Sequence, residues 1–132
     1  MRKPVGVAPG QALPEGEAGP VTQTDIVRFA GAGGDFNPLH HDPEFAANAG
    51  FRGVLAMGQF HAGLLGSWLT DWCGVEHLRE YEVRFVAPVF LGDQLRFSGE
   101  VTAVDDGVAD LTLRASRGED EIIRATARIV VA

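Results

Sequence analysis

The sequence has a single cysteine, few basic residues and no long hydrophobic run, and each shortage excludes a class of protein. Cys73 cannot form an internal disulfide, which favours a reducing compartment, and we expect the cytoplasm. The 11 Lys and Arg against 18 Asp and Glu give a formal net charge of -7, which argues against a nucleic-acid partner. No stretch approaches the length of a membrane span, and no apolar core of a secretory signal follows the basic start, so neither a membrane segment nor secretion is predicted.

The length of 132 residues predicts one domain, 1-132, that can bury a hydrophobic core. Its first twenty residues are rich in Gly and Pro, and we expect residues 1-20 to form a loose N-terminal arm or an edge strand.

Capping residues and apolar spacing predict two short helices and one long one. Thr24 is the expected N-cap of the first, "DIVRFAGAG", whose apolar face comprises Ile26, Val27, Phe29 and Ala30. Asp42 before Pro43 predicts the start of the second. The stretch "MGQFHAGLLGSWLTDWC" has apolar residues at steps of three and four, which predicts a long, mostly buried helix.

The three glycines of this long helix each cost about 1 kcal/mol in a helix interior. They predict that another element packs closely on Gly58, Gly63 and Gly66.

From Leu78 onward the apolar period changes to two, which is typical of half-buried strands. The turn sequences "LGD", "DDG" and "RGED" separate four such strands, and we expect them to pair as successive antiparallel neighbours. The pattern predicts an α+β fold in which a curved antiparallel sheet wraps round one long helix.

The stretch "GGDFNPLHHDPEFA" concentrates acids, an amide and two histidines between prolines. Asp35, Asn37 and Asp42 are residue types that bond their own backbone in turns and caps, so a structural turn explains them. A carboxylate at Asp35 and an imidazole at His40 can also act together on one small molecule as an acid and a base. Both interpretations are open from the residues alone.

The same stretch resembles the signature of the MaoC-like dehydratases and R-specific enoyl-CoA hydratases, which is Gly-Asp-x-Asn-Pro-(Leu/Ile)-His followed downstream by Asp and a small residue. The matching residues are Gly34, Asp35, Asn37, Pro38, Leu39, His40, Asp42 and Ala46. The resemblance extends from about residue 20 to the end. It implies the hotdog fold, a curved antiparallel sheet round one long helix, which agrees with the change of apolar period.

The resemblance also implies a reaction, the reversible hydration of a trans-2-enoyl thioester to a (3R)-3-hydroxyacyl thioester. Carried over residue by residue, Asp35 and His40 hold the water, and Asn37 orients it or forms an Asx-type turn. The backbone N-H of Gly58 matches the family's group that donates a hydrogen bond to the thioester carbonyl. A helix N-terminus suits that role because its free N-H groups stabilise the negative charge that develops on the oxygen.

This chain departs from the family pattern in the central helix. Met57 and Gln59 flank Gly58 where family members commonly have His-Gly-Met, and Gly66 stands where they have Ser, with Ser67 one place off. Gln59 is a candidate substrate-binding residue, with an ordinary polar position near a helix start as the alternative. These departures keep open a non-catalytic or partner-dependent subunit that binds acyl thioesters, and a hotdog thioesterase is a further alternative.

The implied partner is an acyl-CoA or acyl carrier protein thioester, and the net charge favours coenzyme A. No separate cofactor is expected, because coenzyme A or phosphopantetheine enters as part of the substrate.

No metal is expected, since the histidines lack the i, i+4 helical spacing of a ligand pair. His61 is interpreted as a satisfied core or interface histidine. A homodimer joined through sheet edges is expected, and a heteromer with another hotdog chain is the alternative.

Overall fold

The computed structural model describes residues 1–132 as five strands and three α-helices. The strands are β1 Gly16–Ala18, β2 Leu78–Phe85, β3 Leu95–Asp105, β4 Val108–Arg117 and β5 Asp120–Val130. The α-helices are α1 Gln23–Gly33, α2 Pro43–Asn48 and α3 Gly58–Cys73. Single turns of 3-10 helix lie at Pro38–His40 and Val75–His77. No helix has both the length and the apolar character needed to cross a membrane.

The strands form one antiparallel sheet in the order β1-β3-β4-β5-β2. Successive pairing is confirmed for β3, β4 and β5, whose turns place Gly107 and Gly118 at positive φ. It is wrong for β2, which pairs with β5 at the far edge and not with β3. The segment 86–94 between β2 and β3 is too long for a tight hairpin, and it crosses the end of the sheet to reach the other side.

The long helix α3 packs against the concave face of this sheet, as the change of period predicts. Leu65, Leu69 and Cys73 on the helix are fully buried. On the sheet, alternate residues of β5 face the same core, including Ile123 and Ile129. Burying a Leu or Ile side chain contributes roughly 1.5–3 kcal/mol. The result is the hotdog fold.

Two of the three helix glycines are contacted closely by the sheet. A Cβ at Gly58 would lie 3.0 Å from the ring of Phe85, and one at Gly66 would lie 3.3 Å from the ring of Tyr81. The expectation of close packing is wrong for Gly63, because no heavy atom lies within 4 Å of its Cβ position. That residue faces outward from the helix.

The first helix begins earlier than its sequence suggests. Thr22, and not Thr24, is the N-cap: its hydroxyl accepts a hydrogen bond from the N-H of Asp25 at 3.1 Å, and the Asp25 carboxylate accepts from the Thr22 N-H at 3.0 Å. This reciprocal capping box requires the acid three residues after the cap, which Thr24 lacks. Ile26 is buried as expected, whereas Val27 is 55% exposed. The Asp42 cap and its Pro43 start are confirmed.

The N-terminal segment lies along β3 and does not hang free. Gly10 and Leu13 donate backbone hydrogen bonds to Val101 and Gly99 of β3 at 2.8 and 2.9 Å. β1 then continues the pairing with β3. The segment packs because Leu13 is only 4% exposed in the core, and Val5 and Val7 are partly buried against the same core.

Candidate active site

The polar turn after α1 is built from short-range hydrogen bonds. Gly34 ends the helix in the left-handed conformation, at φ 72°. The Asp35 side chain then accepts from the Asn37 N-H at 3.3 Å, and the Asn37 side chain accepts from the Leu39 N-H at 3.0 Å. Asn37 therefore caps the turn of 3-10 helix that carries His40, which agrees with its interpretation as a turn-forming residue.

This turn brings Asp35 and His40 together. Nε2 of His40 lies 3.4 Å from Oδ2 of Asp35, and the His40 side chain is 12% exposed against 49% for Asp35. Nδ1 of His40 lies 2.8 Å from the carbonyl oxygen of Leu55. Since a carbonyl oxygen only accepts, Nδ1 carries the proton in the neutral ring and Nε2 is left with a lone pair facing the acid.

His40 of this pair lines a pocket that the start of α3 also lines, whereas Asp35 lies outside the lining. The pocket has a volume of about 390 Å³. Its lining includes His40, Leu55, Gly58, His61, Phe85 and Val86. Met57, the N-cap of α3, makes no side-chain hydrogen bond to the helix. The first N-H groups of the helix, at Gly58 and Gln59, have no intrahelical partner, so Gly58 presents a donor beside the pocket that His40 lines.

The structure does not bring Gln59 to this pocket. Its side chain is exposed, and it is absent from the pocket lining. The reason is helical geometry: consecutive residues point about 100° apart, so residue 59 turns away from the face that Gly58 presents. The interpretation of Gln59 as an ordinary polar residue near the helix start fits this position.

His61 lines the same pocket, and it is buried as expected for a core histidine, but the expectation that it is satisfied is wrong for Nδ1. The residue is 2% exposed, yet its Nδ1 has no hydrogen-bond partner. Burial lowers the pKa of His61 from 6.5 to about 4, so the ring is neutral near pH 7. Its ring meets the edge of Phe85 with centroids 6.0 Å apart. The sequence signal is the spacing, because residue 61 follows residue 58 on one helix face.

Comparison with known proteins assigns the family. A family model described as MaoC like domain matches residues 5–121. The (R)-specific enoyl-CoA hydratase of Aeromonas caviae is 40% identical over 96 residues, which are 68% of this chain and 70% of the relative. The 3-oxo-4,17-pregnadiene-20-carboxyl-CoA hydratase beta subunit of Mycobacterium tuberculosis is 37% identical over 86 residues, 64% of this chain and 67% of the relative.

Solved structures agree with this assignment. A chain in the crystal structure of the ChsH1-ChsH2 complex from Mycobacterium tuberculosis superposes with a TM-score of 0.83 at 29% identity, over 95% of this chain and 98% of that chain. The match extends over nearly the whole of both chains, so the sheet, the central helix and the polar turn lie within it. This chain belongs to the MaoC-like domain family.

Proposed function

We propose that this chain catalyses the reversible hydration of a trans-2-enoyl thioester to a (3R)-3-hydroxyacyl thioester. The observation that carries the proposal is the approach of the Asp35 carboxylate to within 3.4 Å of the His40 imidazole, which lines a pocket together with the start of α3. The hydratase names of the similar proteins support the same reaction class.

The geometry of the pair suits one water molecule. Two groups 3.4 Å apart are beyond a good hydrogen bond, and neither a carboxylate nor the Nε2 lone pair has a proton to share. A water has two O-H donors, so it can donate one to Asp35 and one to His40. The Leu55 carbonyl holds the imidazole in the tautomer that this arrangement requires.

Gly58 supplies the complementary charge stabilisation. As the water oxygen bonds to C3, its proton passes to the Asp35 and His40 pair, and the C2=C3 electrons move towards the thioester oxygen. The Gly58 N-H at the helix start stabilises that negative charge. A proton from the pair then reaches C2, so that OH and H have been added across the double bond. Dehydration is the same path in reverse.

Loss of enoyl absorbance from crotonyl-CoA in water tests the proposal. We expect Asp35→Asn and His40→Gln each to lower turnover by roughly 100-fold or more. The double variant should lose little more than either single one, because both groups serve one step. His41→Gln is the matched control, since His41 is the exposed neighbour in the same turn.

Thermal melting separates catalysis from turn stability. If the turn is only structural, activity losses will follow losses of melting temperature. An Asp35→Asn variant that folds normally and works at the parent rate would refute the proposal. Thiol release from the same substrate without hydration would instead indicate a thioesterase.

We further propose that the chain works as a dimer, either with itself or with another hotdog chain. β2 is a sheet edge with one neighbour, and Phe85 and Val86 at its end are 47% and 49% exposed beside the pocket. An exposed edge and apolar rim of this kind favour pairing. The beta-subunit name of one relative and the two-protein complex of a structural neighbour support the heteromeric alternative.

Sedimentation at micromolar concentration tests the assembly. A dimer that hydrates crotonyl-CoA supports the homomeric form. A chain that sediments as a strict monomer contradicts the homomeric form. A chain that is inactive alone and becomes active when a second hotdog chain is added supports the partner-dependent subunit.

A further inference from the structure

The environment of His61 is unusual for a core residue. A polar nitrogen that is buried without a partner costs stability, so most buried polar groups in proteins are hydrogen-bonded. His61 is 2% exposed and its Nδ1 has no partner, although the other buried residues of α3 are Leu, Ala and Cys. Packing alone gives no reason for a histidine at this position.

The position of His61 explains what the nitrogen can reach. Helical side chains lean towards the N-terminus of their helix, so the ring at position 61 extends over the turn that begins at Gly58. Glycine has no side chain to block that space. Both residues line the pocket that His40 also lines, on the same face of α3.

We infer that His61 is a second donor to the thioester carbonyl, giving a ring N-H to the oxygen that also accepts from the Gly58 N-H. This inference rests on the proposed function and adds a residue to its site. Two hydrogen-bond donors stabilise the negative charge that develops on this oxygen more strongly than the backbone N-H alone.

The ring is suited to this role because it is neutral. Burial holds the pKa of His61 at about 4, so at neutral pH one ring nitrogen carries a proton and the other does not. The donor therefore needs no change of charge during the reaction. Phe85 packs edge-on against the ring and over Gly58, so binding of the thioester at both donors requires this half-exposed side chain to move.

Two substitutions at position 61 separate a donor from a packing residue. His61→Leu keeps the volume and removes the donor, and we expect turnover of crotonyl-CoA to fall by roughly 100-fold while the melting temperature stays level or rises. His61→Asn places an amide N-H near the position of Nδ1, and it should recover about tenfold of that loss. A leucine variant that works at the parent rate overturns the inference.

Binding of two unreactive analogues gives a readout that does not depend on catalysis. Butyryl-CoA has the thioester carbonyl, whereas S-butyl-CoA, a thioether, lacks it. The parent protein should bind butyryl-CoA more tightly, by roughly tenfold, and His61→Leu should lose most of that difference. Equal weakening of both analogues would show a packing role and overturn the inference.

The two proposals fail in different ways. If the parent does not hydrate crotonyl-CoA, the proposed function fails, but the analogue comparison still tests the His61 contact. If the leucine variant does not fold, ¹⁵N spectra of the parent replace it. A shift of the His61 ring nitrogens with butyryl-CoA and none with S-butyl-CoA supports the contact, and identical spectra with the two analogues overturn it.

Discussion

His61 should make the folded protein sensitive to acid, and the size of the effect follows from its burial. Its pKa falls from the ordinary 6.5 to about 4 on folding, so between these values the unfolded chain binds the extra proton. The stability is therefore full above about pH 6.5 and is lost as the pH falls towards 4. A change of this size in pKa corresponds to roughly 3 kcal/mol, a large share of a typical 5–15 kcal/mol.

Urea unfolding at a series of pH values measures this contribution. Other groups also titrate in acid, so the informative quantity is the difference between the free energies of unfolding of His61→Leu and the parent. We expect that difference to grow in favour of the variant by about 3 kcal/mol between pH 7 and pH 4. His41→Leu is the matched control, because His41 is exposed. A constant difference across this range would refute the buried, neutral state of His61.

Two further predictions concern the helix starts. Gly58→Ala places a methyl group 3.0 Å from the Phe85 ring and in the space proposed for the thioester, so hydration of crotonyl-CoA should slow with little change in melting temperature. In the matched control, Gly63→Ala, the methyl meets nothing within 4 Å, so the free energy of unfolding should rise by up to about 1 kcal/mol at unchanged turnover. Asp42→Ala removes the acceptor for the N-H groups of Glu44 and Phe45, and urea unfolding should show a loss of about 1 kcal/mol that Asp42→Asn largely avoids.

The sequence predicts those parts of the fold that depend on local periodicity. Alternating residues such as Ile123 and Ile129 in β5, and the three- and four-residue steps of α3, each specify a buried face on their own. The pairing of β2 with β5 depends instead on the path of the nine-residue connection from β2 to β3, and no local sequence pattern specifies that path. The start of the first helix is ambiguous in the sequence for a different reason. Asp25 forms a capping box with Thr22, but Thr24 is a residue type that caps helices equally well.

Some features of the candidate site follow from local sequence, and others depend on long-range contacts. Asp35 and His40 lie in one turn, so their approach is a local property that the motif encodes. The contact of His40 with Leu55 joins two segments fifteen residues apart, and spacing alone does not indicate it. The polar type of Gln59 suggests a binding residue, whereas its direction on the helix decides that it stays outside the pocket.

Residues of α3 that lower the stability of the fold indicate where this helix serves a functional site. A glycine inside a helix costs about 1 kcal/mol, and a buried nitrogen without a partner costs roughly 1–3 kcal/mol. Gly63 has the first cost, but it faces open space and lies away from the pocket lining. Gly58 is the first residue of α3, where the interior cost does not apply, but His61 carries the second cost one turn further along the same face, and both line the pocket that contains His40. Natural proteins tolerate such losses chiefly where a site needs them, because a donor satisfied within the protein would not be free for substrate.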